Sequence, residues 1–149
     1  MKARIGFTSV LGSEYLEDLE KLLFFNPQQN KALTGISESI ADFGMPNIRI
    51  EQDRLRISIE NLPGAQTVFA MEDAPDNPLL VGVMIYSRTD LENIVLLHIA
   101  VREEYSRFGA RAYAALVSKM MGQLRSIAKK LNGVRSIQLK YAKGLVFPV

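Results

Sequence analysis

The residues of this chain best equipped for chemistry lie close together in sequence: Glu92 and His98, then Ile99-Ala100-Val101, then Ser106-Arg107-Phe108-Gly109-Ala110-Arg111. His98 is the only histidine of the 149 residues, and imidazole is the side chain whose ordinary pKa suits proton transfer near neutrality. Glu92 offers a carboxylate that could take a proton from a nucleophile. Each has a plainer alternative. A histidine in an apolar strand is commonly a hydrogen-bonded core residue, and a glutamate beside a turn is commonly solvated. The run from Ser106 to Arg111 has a different chemistry. Its glycine lets backbone N–H groups come close to an anion, and Arg107 and Arg111 add positive charge. Where such a loop opens a helix, unpaired N–H groups and the positive end of the dipole face the same point, which suits a diphosphate.

Composition removes several other chemistries. There is no cysteine, which excludes a disulfide framework, a cysteine zinc site, an iron–sulfur cluster and a thiol nucleophile. One histidine excludes any site built on several, so no metal is expected. The apolar share of 48% and the charged share of 23% fit a globular domain, and a single domain over 1–149 is the expectation. No apolar run approaches the roughly 20 residues that span a bilayer, and Glu14 and Asp18 come too early for a secretory signal. A cytoplasmic protein without a membrane partner is therefore expected.

The net charge of +2 is unevenly divided. Residues 1–100 carry 8 Lys/Arg against 14 Asp/Glu, or −6, and residues 101–149 carry 10 against 2, or +8. The basic last third points to an anionic ligand, either phosphate groups or nucleic acid. Nucleic acid is the weaker of the two, because the aromatic interleaving of single-strand binders is absent around Arg125, Lys129, Lys130, Arg135, Lys140 and Lys143.

These residues must be positioned by the surrounding elements. Arg4 to Ser9 reads as a strand, and Gly12-Ser13 as a break and N-cap before a helix carrying Leu16, Leu19, Leu22 and Leu23. Asn26-Pro27 ends it, and a second helix is expected over 31–43, with Leu33, Ile36, Ile40 and Phe43 on one face. From Asn47 the period becomes two, giving a hairpin with one wet face, turning at Gln52-Asp53. Strands follow at Thr67 to Met71, Leu79 to Ser87 and Asn93 to Val101, with connections short enough for antiparallel pairing. The last is apolar on both faces and is expected at the centre of its sheet. A long helix is expected over 110–131, with Tyr113, Leu116, Val117, Met120, Leu124, Ile127, Ala128 and Leu131 in one stripe. Asn132-Gly133 stops it, and Val134 to Tyr141 reads as a further strand. The apolar tail Gly144 to Val149 either adds an edge strand or packs across a dimer interface. The fold class is α+β: a mixed, mostly antiparallel central sheet flanked by helices, with a long helix after the central strand.

The segment HIAVREEYSRFGARAYAAL resembles the cofactor motif of the GNAT superfamily of acyl-CoA-dependent N-acyltransferases. There a strand ending in an apolar-Ala-Val triplet is followed by an aromatic residue and a glycine-bearing Arg/Gln-x-x-Gly-x-Gly/Ala loop that opens a long helix. The preceding TVFAMEDAPDNPLLVGVMIYS is similar to the strand pair that comes before it in that family. The likeness covers roughly residues 66–141, and the N-terminal elements agree with it in order. It implies that the backbone of Ile99, Ala100 and Val101 pairs with the pantetheine arm of acetyl-CoA as an added strand. It also implies that Ser106, Arg107, Phe108, Gly109, Ala110 and Arg111 hold the diphosphate. Acetyl transfer to an amine by direct attack is the implied activity, with His98 and Glu92 the available bases.

The sequence also departs from the family pattern. Only the middle glycine of the loop is kept, Ile94 to Leu97 stand where many members carry a carboxylate, and eight residues follow Tyr141. These departures fit an alternative in which the fold persists as a catalytically inactive CoA-sensing or protein-interaction module. A homodimer that protects the sheet edge is expected in either case.

Overall fold

A computed structural model describes residues 4–24, 46–62, 64–102, 110–139 and 146–148. It is an α+β structure with a mostly antiparallel sheet. In chain order the elements are β1 (Ile5–Thr8), α1 (Leu16–Phe24), β2 (Pro46–Glu51), β3 (Arg54–Ile59), β4 (Gln66–Glu72), β5 (Leu79–Arg88), β6 (Asn93–Val101), α2 (Ala110–Lys129), β7 (Ser136–Leu139) and β8 (Val146–Pro148). A 3-10 turn over Ser13–Tyr15 leads into α1, and its N-cap is Gly12 with no side-chain hydrogen bond. The second helix expected over 31–43 and the stop at Asn26-Pro27 lie outside the described residues.

Six strands form one sheet in the order β1-β4-β5-β6-β7-β8. Every neighbouring pair is antiparallel except β6 and β7. Sequence alternation alone cannot reveal this exception. It arises because α2 intervenes between the two strands, and a crossover of that length returns the chain in the same direction. The tail supplies β8 at the sheet edge, where Phe147 lies opposite Ile137.

The two sheet faces bury separate apolar clusters. On one, Leu19, Leu22 and Leu23 of α1 and Leu55, Ile57 and Ile59 of β3 pack with Phe69, Val83, Ile85, Val95, Leu97 and Ala100. On the other, Leu116, Met120, Leu124 and Ala128 lie four residues apart along α2 and meet Val68, Ala70, Val81, Met84, Ile94, Leu96, Val101 and Ile137. Strand β6 contributes to both, which explains its unbroken apolar run. Gly82 permits the approach of α2: a Cβ there would stand 2.9 Å from Met120 Cε and 3.3 Å from the Ala100 carbonyl oxygen.

The hairpin β2–β3 stands apart as a two-stranded sheet. Its turn residues Gln52 and Asp53 have φ of 52° and 61°, the left-handed pair that matches strand twist in a two-residue turn. The stretch before α1 ties it to the rest: Leu55 N–H donates to the Leu11 carbonyl at 2.8 Å, and Ser13 N–H donates to that of Asp53 at 2.9 Å.

Candidate functional site

Strand β6 positions the sequence candidates. It pairs antiparallel with β5 along its length, with Val101 opposite Gly82, Ala100 opposite Val83, Ile99 opposite Met84 and His98 opposite Ile85. The next pair is Leu96 with Tyr86, so Leu97 is an extra residue and the ladder shifts register there. Such a β-bulge sets two residues of one strand against one of its partner. Cluster membership agrees: Leu97 and Ala100 face α1, while Leu96, Ile99 and Val101 face α2. As the direct partner of Ile85, His98 shares the α1 face with Leu97.

His98 is 6% exposed, and its Nε2 is buried without a hydrogen-bond partner. Burial lowers its pKa to about 4, because a charged imidazole loses its hydration there. The ring is therefore neutral at neutral pH. Leaving a buried donor or acceptor unpaired costs about 1–3 kcal/mol, and Nε2 is such an atom.

Glu92 sits at the other end of β6 with an exposed side chain. Its backbone is committed to the junction. Glu92 N–H donates to Asp90 Oδ1 at 2.8 Å, and its carbonyl accepts from Arg135 N–H at 2.7 Å and Ser136 N–H at 3.1 Å. Hydrogen bonds from the Asn93 side chain and the Glu92 N–H hold the Asp90 carboxyl below its usual range. The Arg88 guanidinium donates to the carbonyls of Asp90, Leu91 and Asn132, joining this turn to the end of α2. Glu92 and Ala100 are eight positions apart, about 26 Å along a strand, so the structure does not bring Glu92 to the Ala100-Val101 end.

Ala100 and Val101 are buried and Ile99 is partly exposed. The ladder from β6 to β7 covers Asn93 to Leu96, paired with Ser136 to Leu139, and Ile99 to Val101 lie beyond its described length. Ser106, Arg107, Phe108 and Gly109 lie outside the described residues. Ala110 and Arg111 open α2, whose first turn holds no acidic residue. Lys119, Arg125, Lys129, Lys130 and Arg135 are exposed. Among the described residues no group of three or more His, Asp or Glu could hold a metal ion, and no helix is long and apolar enough to cross a membrane.

Two features escaped the sequence reading. The first is the bulge, for which an apolar run carries no signal. The second is a groove of about 390 Å³ between α1 and β2, lined by Leu16, Glu20, Asn47, Ile48 and Ile50, none of which the sequence put forward as a site residue. Comparison of the chain with protein-family models, with curated proteins and with solved structures found no match.

Proposed function

We propose that this chain binds an acyl-CoA at the Val101 end of β6 and transfers the acyl group, acetyl in the simplest case, to an amine. The observation that carries this reading is the setting of β6. It is bulged at Leu97-His98 and flanked by an antiparallel and a parallel neighbour. Beyond the bulge lie Ile99 to Val101, the stretch that matches the strand half of the GNAT motif, and α2 begins nine residues after Val101. A pantetheine arm adding beside Ile99 to Val101 would be held by main-chain hydrogen bonds. The diphosphate would meet the start of α2, whose first turn carries no acidic residue and to which Arg111 brings a positive charge. The sheet order, with α2 as crossover between its parallel strands, supports a GNAT-like arrangement.

The chemistry is direct attack. The amine nitrogen bonds to the thioester carbonyl carbon, the carbon–sulfur bond breaks, and the nitrogen proton is removed as the thiol leaves. A second reading is favoured by one sequence observation, the single retained glycine at Gly109 with apolar Ile94 to Leu97 in place of a carboxylate. In that reading the chain binds CoA and transfers nothing. A free-thiol assay with acetyl-CoA and a panel of primary amines separates the two. Amine-dependent thiol release is expected from transfer, and its absence in a protein that binds acetyl-CoA establishes the inactive module.

A further inference from the structure

We propose that this chain forms a homodimer through the free edge of its β2–β3 hairpin, two copies of β2 pairing antiparallel about a two-fold axis at Ile50 to make one four-stranded sheet. The edge concerned belongs to the detached hairpin rather than to the six-stranded sheet, and the inference stands independently of acyl transfer.

Three observations meet on this strand. First, β2 has main-chain groups to spare. Its only strand neighbour among the described residues is β3. The two-residue turn makes Glu51 and Arg54 a hydrogen-bonded pair, and bonded pairs alternate along an antiparallel ladder. Arg49 therefore bonds to Arg56, while Ile48 and Ile50 turn their N–H and C=O groups to the opposite edge. No hydrogen bond among the described residues takes up those groups. Such an edge is a template for another strand, and natural edges are commonly blunted by bulges, prolines or unmatched charge. The ladder of β2 runs without a register shift from Pro46 to Glu51, and its proline stands at the first position only. Second, Ile50 is 54% exposed, although it shares a hairpin face with the buried Leu55 and Ile57. It borders the groove whose other wall is Leu16 of α1. In the paired sheet the partner's Ile50 lies directly opposite on the same face, so each isoleucine covers the other beside that groove. Glu20 and Asn47 supply a polar rim.

Third, the charges are self-complementary about one point. Arg49 and Glu51 flank Ile50 on the opposite, wet face. An axis at Ile50 sets each Arg49 across from the partner's Glu51, giving the reciprocal contacts that an isologous interface requires. An axis at Arg49 or at Glu51 would set like charges against each other. One at Ile48 would set Arg49 against the partner's Asn47 and give Ile50 a proline, which has no N–H, as its neighbour. Within the chain the Glu51 carboxylate is held only loosely, 3.8 Å from Arg49 and 4.0 Å from Arg56, with all three side chains more than half exposed. It is free to take a second arginine.

Sedimentation equilibrium of the full chain, up to about 200 μM, tests the proposal by mass action. Wild type is expected to reach twice the chain mass. Ile50→Lys and Arg49→Glu, both at exposed positions, are expected to weaken the dimer by about tenfold or more. The double variant Arg49→Glu with Glu51→Arg restores the matched pairs and is expected to recover the dimer that Arg49→Glu loses. A monomeric wild type at the highest concentration overturns the inference. A dimer that Ile50→Lys and Arg49→Glu leave unchanged also overturns it, because the contact then lies elsewhere. If the variants fail to fold, amide hydrogen exchange on wild type decides. The Ile48 and Ile50 amides must become more protected as concentration rises. Protection that is the same at every concentration means that the edge is closed within one chain or stays open, and either result overturns the inference.

Discussion

At the scale of single residues, the imidazole of His98 makes the sharpest demand on the structure. Its pKa of about 4 when folded lies below the ordinary 6.5 that it regains on unfolding. Between those values the unfolded chain binds the proton and the folded one does not. Stability is therefore complete above pH 6.5 and falls as pH drops toward 4, by on the order of 3 kcal/mol over that window. Urea unfolding at pH 7 and pH 4.5 should show the difference in wild type and a smaller one in His98→Leu. An imidazole resonance that titrates near 6.5 in the folded protein would contradict the burial on which this rests. Glu92 gives the opposite expectation. Its backbone holds the junction and its side chain is exposed, so Glu92→Gln should change stability by no more than about 0.5 kcal/mol and leave turnover unaltered.

At the scale of elements, the described helices and strands were legible because their periodicities are strong. The stripe from Leu116 to Ala128 marks α2, and Leu55, Ile57 and Ile59 alternating with Arg54, Arg56 and Ser58 mark the hairpin face that is buried. The bulge was not legible. Ile94 to Ile99 is nearly all apolar, and a one-residue shift within such a run leaves the pattern unchanged while moving the side chains beyond it to the other face. This is why His98 could be named as a candidate from sequence but not placed on a face. Two predictions belong to this scale. Met120 is fully buried against β5 beside Gly82, so Met120→Ala should cost about 2–5 kcal/mol in urea unfolding. Gln52 holds φ of 52° without being glycine or asparagine. Replacing Gln52-Asp53 by Asn-Gly should raise stability by about 0.5–1 kcal/mol, since the hydrogen bond from Ser13 is to the backbone of Asp53 and survives.

At the scale of the whole molecule, the arrangement divides labour between the two sides of one sheet. The side covered by α1 and the hairpin comes from the acidic part of the chain, and α2 on the other side opens its basic last third. An anionic cofactor approaching the start of α2 would meet favourable charge. Strand β6, which both sides share, is where the proposed chemistry lies. The central claim is that its Val101 end and the loop into α2 bind an acyl-CoA. Calorimetric titration of acetyl-CoA into wild type and Gly109→Trp tests it most directly. The account predicts micromolar binding to wild type and none to Gly109→Trp, whose melting temperature is unchanged. Absence of heat from wild type at millimolar acetyl-CoA, or equal binding by both proteins, would contradict it.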